Sequence, residues 1–122
     1  MSYEFYNLIH LIGVVVVFMA LGGTLLHVLN GGTAEDNSWK KPLGIIHGVA
    51  MLLILVGGFG AMARLGLHSD FPGWIWGKVL IWVLLGAAIA LPYRFSGWAK
   101  PLALIIPLLG VLASWLVVYK PF

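Results

Sequence analysis

FYNLIHLIGVVVVFMALGGTLLHVLN, residues Phe5 to Asn30, is the stretch on which the fold turns. No charged side chain interrupts it, and it exceeds the ~20 apolar residues that carry a helix across the hydrocarbon core of a bilayer. Two histidines stand near its ends, His10 and His27. On a helix turning about 100° per residue, His10, Gly13, Val17, Ala20, Thr24 and His27 fall in one stripe. The rest of the circumference is Val, Leu and Ile. Such a helix offers lipid a broad apolar surface and offers its neighbours a narrow seam of small and polar groups. The acidic start, Met1-Ser2-Tyr3-Glu4, and the length of the run read as a retained span, since a signal-peptide core has about 7–15 apolar residues behind basic ones.

Outward from that run the composition agrees. Of 122 residues, 61% are hydrophobic and 9% charged, where soluble domains carry about 25% charged residues; mean hydropathy is +1.03. The length limits the chain to a single domain, residues 1–122. Absence of cysteine excludes a disulfide framework, a zinc–thiolate site and an iron–sulfur cluster. The seven basic residues lie at the ends of apolar runs rather than in a patch, which argues against a nucleic-acid partner. These features predict an all-α integral membrane protein in contact with the lipid bilayer.

Four spans are expected, at about residues 5–29, 43–64, 74–93 and 101–119. Pro42 and Pro101 suit first helical turns, where a missing N–H is harmless, and Pro107 is expected to kink the last span. The connections are too short to re-cross a membrane, so the spans form an up-and-down four-transmembrane-helix bundle. Call the end with both termini side A and the other end side B. Aromatic belts mark both: Tyr3, Tyr6, Trp74, Trp76 and Tyr119 on A, and Trp39, Tyr93 and Trp98 on B. Side B carries Lys40, Lys41, Arg94 and Lys100; side A carries Arg64 and Lys120, with Lys78 near its border. The positive-inside rule then puts side B in the cytoplasm, with both termini non-cytoplasmic. Small-residue stripes on the second span (His47, Met51, Ile54, Gly58, Ala61) and the fourth (Ala103, Pro107, Gly110, Ser114) mark expected helix–helix contacts.

Depth sorts the groups able to do chemistry. His10 and Lys78 lie at one level near side A, with His68 in the loop beyond; His27 and His47 lie at one level near side B. Imidazoles at one depth on facing helices are what axial ligation of haem requires. His27 and His47 are therefore the candidate haem-iron ligands, and His10, His27, His47, His68 and Lys78 the candidate cofactor-binding set, for a haem b. Each has a bland reading: border histidines serve as interfacial hydrogen-bonding groups, and a lysine just inside a span snorkels to the surface. A hydrolytic site is not legible, because Glu4, Glu35, Asp36 and Asp70 all fall outside the spans.

Tyr-x-x-x-His opening the first span, a histidine opening the second, Pro-Gly-Trp-Ile-Trp-Gly-Lys opening the third and the ending Val-Val-Tyr-Lys-Pro-Phe resemble a group of small bacterial membrane proteins. The group comprises HemJ-type protoporphyrinogen oxidases, SirB-type proteins and CopD-type domains. The HemJ pattern implies roles for His10 and Lys78, and the SirB pattern adds His47. The chain departs from HemJ proteins in having Leu25 and Leu26 where they carry an arginine, and in having His47 at all. Three functions follow as expectations: a b-type haem protein for electron transfer or redox sensing, a cofactor-free accessory subunit held by other membrane subunits or in a homo-oligomer, and a HemJ-like porphyrinogen oxidase.

Overall fold

The Ser2 hydroxyl accepts the Phe5 N–H at 3.2 Å and starts α1 (Tyr3–Leu29). The helix stops at Gly31, whose φ of 84° turns the Gly31 and Gly32 N–H groups back onto the Val28 and His27 carbonyls. A side chain disfavours that backbone conformation, which is why glycine stands there. A computed structural model describes residues 2–66 and 71–121. After α1 come α2 (Lys40–Arg64), α3 (Gly73–Ala87), a single-turn α4 (Leu91–Arg94), a 3-10 turn at Ser96–Trp98 and α5 (Ala99–Tyr119). The described residues contain no strand. Pro42 and Pro101 both occupy the third helical position, among the N–H groups that have no intrahelical partner in any case.

Three helices, α1, α2 and the one running from Ser96 to Tyr119, are long and apolar enough to cross a membrane. The fourth apolar helix, α3, is shorter, at 15 residues. The sequence reading of one helix over 74–93 is corrected here, because Ala88–Ala90 form a turn in which Ala88 and Ala90 keep helical backbone angles but the Ala90 N–H bonds to the Ala87 carbonyl, three residues back. Pro92 explains the break: it lacks an N–H, and its ring would press on the carbonyl four residues earlier. Helix α5, in contrast, runs without interruption through Pro107.

Helices α1 and α2 pack along their whole length, α3 packs mainly on α5, and the two pairs touch each other sparsely. The first contact is a backbone-to-backbone approach. A Cβ on Gly13 would come within 2.7 Å of the Ala50 carbonyl oxygen, and one on Gly57 within 2.6 Å of the His10 nitrogen. Gly13, Val17, Ala20 and Thr24 of the expected α1 stripe are buried, as are His47, Met51, Ile54 and Ala61 on α2. The expected α5 stripe is not the buried one. Leu102, Ile106 and Leu116 turn inward there, while Pro107 and Ser114 are exposed. Helix α5 buries mainly large side chains, while Ala103 and Gly110 of the expected stripe are half-buried, Gly110 against the Phe18 ring.

Candidate functional site

The glycine-mediated approach of α1 to α2 brings His10 against the α2 backbone, where its Nδ1–H donates to the Ile54 carbonyl at 2.8 Å. One turn away, Trp82 Nε1–H of α3 donates to the Met51 carbonyl at 3.0 Å. These two bonds hold opposite walls of a cavity of about 280 Å³ between the helix pairs. Among the described residues its polar groups are few, namely Tyr3, Asn7, His10, Lys78 and Ser114; Phe18, Ile54, Trp74, Ile81 and Trp82 supply much of the apolar wall. The Ser114 hydroxyl is spent on its own helix, donating to the Gly110 carbonyl at 2.9 Å. Mostly apolar walls with a handful of convergent polar groups are the usual make-up of a ligand site.

Donation from Nδ1 fixes the His10 tautomer and leaves the lone pair on Nε2. Every buried polar side-chain atom among the described residues has a hydrogen-bond partner, whereas Nε2 of His10 has none there, so Nε2 is not sealed in. Lys78 is half-buried in the same cavity and makes no hydrogen bond or ion pair among the described residues. The structure thus brings together the side A pair, an imidazole lone pair and an ammonium group. His68 lies outside the described residues.

The side B pair has separate partners. His27 Nδ1 accepts the Tyr93 hydroxyl at 2.6 Å, and its Nε2 faces Asp36 Oδ1 at 2.8 Å. Asn37 Nδ2 donates to the Tyr93 oxygen at 2.7 Å, and the Thr33 N–H donates to Asp36 Oδ1 at 3.0 Å. This chain of bonds ties the loop after α1 to α4. His47 is 3% exposed, and its Nε2–H donates to the Leu85 carbonyl at 3.1 Å. Leu85 lies in the last turn of α3, where carbonyls lack an intrahelical donor. His47 therefore caps the end of α3 that the Pro92 break creates. An iron between His27 and His47 would have to displace one of the two His27 bonds, and the cap as well if it took His47 through Nε2. At His10 no bond is displaced, and a ligating histidine ordinarily gives its other ring N–H to a carbonyl or carboxylate.

Sequence reasoning missed Tyr93, read as a belt residue; Asp36 and Asn37, read as loop; and Trp74, read as a border aromatic but 6% exposed. Tyr93 was findable, because a hydroxyl at the depth of His27 is a natural imidazole partner. The described residues contain no group of three or more His, Cys, Asp or Glu placed to hold a metal ion. No family model matches the chain, and no curated protein or solved structure matches it either.

Proposed function

We propose that the chain is an integral four-helix bundle of the bacterial inner membrane whose side A cavity binds b-type haem for electron transfer or redox sensing. One observation carries this reading: His10, its tautomer fixed by the Ile54 carbonyl, leaves Nε2 available in the cavity that also holds the Lys78 ammonium. His10 is the residue to ligate iron, and Lys78 the one to pair with a propionate carboxylate. The apolar walls exclude water and favour a planar macrocycle. Bound haem would supply a one-electron centre at the depth of His10. The donor set suits haem better than a bare cation, which would find one imidazole and no carboxylate among the described residues lining the cavity.

His10 and Lys78 are also the residues that the HemJ resemblance singles out, which keeps a tetrapyrrole substrate, acted on by a porphyrinogen oxidase, as a second reading of the same cavity. The cofactor-free accessory subunit is favoured by the structural bonds that occupy His27 and His47. A reduced-minus-oxidised spectrum of protein purified under haem supply separates the three. The haem reading expects b-type bands that are lost in His10→Ala, reduced in Lys78→Met and kept in His27→Ala. Undiminished bands in His10→Ala overturn the ligand assignment, and a spectrum without haem bands overturns the haem reading. Turnover of a porphyrinogen by the same preparation selects the oxidase.

A further inference from the structure

At the far end of the bundle from the His10 cavity, Lys40 and Gly44 of α2 face Ile89, Ala90, Tyr93 and Arg94 across a crevice of about 420 Å³. We propose that this crevice binds the phosphate of an acidic membrane phospholipid, with one acyl chain lying along α2 over Gly44 and Gly48. The inference rests on the membrane reading above and is independent of the haem.

Charge is the first argument. Lys40 and Arg94 come from different elements and open on one crevice, and neither is in an ion pair among the described residues. The loop acid that does make an ion pair, Asp36, makes it with His27. Two cations on the rim of one crevice, with no acid paired to either among the described residues, favour an anion between them. The wall between them is fixed, since the Tyr93 hydroxyl is held by both His27 and Asn37.

Shape is the second argument, and it selects a lipid over a free anion. Lys40, Gly44 and Gly48 follow one another at four-residue spacing and so lie on one face of α2. A Cβ at either glycine would meet nothing within 4 Å, and both glycines are exposed. Beside them Ile45 and Val49 stand 58% and 53% exposed, which leaves a furrow bordered by apolar side chains. The furrow begins at the cationic rim and runs toward the middle of the bundle. A ligand with an anionic head and an alkyl chain uses its whole length, whereas inorganic phosphate uses only the rim. Basic crevices between helix ends on the cytoplasmic side are where anionic headgroups are held.

The full-length protein is tested in two stages. Alkaline carbonate extraction comes first: release of the chain overturns the membrane reading and the lipid site with it. For the retained protein, native mass spectrometry compares binding of dioleoylphosphatidylglycerol with that of dioleoylphosphatidylcholine. Two basic contacts predict a preference on the order of thirtyfold for the acidic lipid. Lys40→Gln/Arg94→Gln should abolish the preference, and Gly44→Leu/Gly48→Leu should weaken binding with both cations intact. Lys40 and Arg94 are exposed with no side-chain hydrogen bond among the described residues, and a Cβ at either glycine meets nothing within 4 Å, so the helical fold should be kept in both variants. Equal binding of the two lipids, an unchanged preference in the charge variant, unchanged binding in the furrow variant, or complete displacement by millimolar inorganic phosphate each overturns the site while leaving the membrane reading intact.

Discussion

Replacing Gly57 with Ala tests the contact from which the cavity is built. A methyl at this position would sit 2.6 Å from the His10 nitrogen, 2.7 Å from the Tyr6 carbonyl oxygen and 2.9 Å from the His10 Cα. All three are backbone atoms, so no side chain can rotate away and α1 must move. Overpacking of this kind costs about 1–3 kcal/mol. Moving α1 also endangers the His10–Ile54 bond, and interhelical hydrogen bonds in bundles average about 0.6 kcal/mol. Gly48→Ala is the matched control. It gains the same intrinsic helix preference of about 1 kcal/mol, but its methyl meets nothing within 4 Å. Subtracting one variant from the other removes propensity and leaves packing, an expected difference of about 1.5–3.5 kcal/mol. Unfolding in mixed dodecylmaltoside–dodecylsulfate micelles, followed by circular dichroism, measures it. A difference within about 0.5 kcal/mol, the usual scatter of unrelated substitutions, would refute the close approach of α1 to α2.

Three further predictions address the side B network and the topology. His47→Phe keeps the size of the buried ring but leaves the Leu85 carbonyl without its donor; the same unfolding assay should show a loss of about 0.6–1.7 kcal/mol, and wild-type stability would refute the capping role. Tyr93→Phe removes the hydroxyl that joins His27 to Asn37, so amide exchange between Thr33 and Trp39 should quicken about fivefold for the loss of ~1 kcal/mol, with unchanged exchange showing that the loop is held by other means. Reporter fusions should be active on the non-cytoplasmic side at Phe122 and on the cytoplasmic side near Asn37; a cytoplasmic signal at Phe122 reverses the orientation.

How much of this was legible in the sequence varies with the kind of contact. The α1 and α2 seams could be read because small residues at helical spacing imply a backbone approach, and Gly13, Ala20 and Ala61 of the expected stripes are buried, although the close approach on α2 falls at Gly57 and not at the expected Gly58, which is half-buried. The same rule misread α5, whose inward face is Leu102, Ile106 and Leu116. Small residues signal contact only where helices come close. Unbroken apolarity from Val79 to Leu91 likewise hid the break in front of Pro92, because hydropathy reports burial in lipid or core and carries no information on hydrogen-bond continuity. Depth did place His10 and Lys78 together. It did not say which atom each nitrogen would meet, since the partners of His27 and His47 arise from a loop conformation and from a helix end that has no local sequence signature.

The cavity itself follows from an asymmetry between the two helix pairs. Glycines on α1 and α2 let those backbones touch, and the gap left beside them is set by aromatic side chains of α3 and by Phe18 of α1. Trp74, Trp82 and Phe18 all line the opening, and Gly110 of α5 gives way to Phe18, whose ring would lie 2.9 Å from a Cβ there. Had small residues stood at Trp74, Trp82 and Phe18, the bundle would close and bury His10 and Lys78 against apolar walls, where unpaired polar groups are costly. Large aromatics hold it open instead, and the open space lies where an imidazole lone pair and an ammonium group converge. Packing that keeps a polar pair accessible in an otherwise apolar bundle is the physical reason for proposing this cavity as the ligand site, rather than the other end, where His27 is bonded through both ring nitrogens and His47 through Nε2.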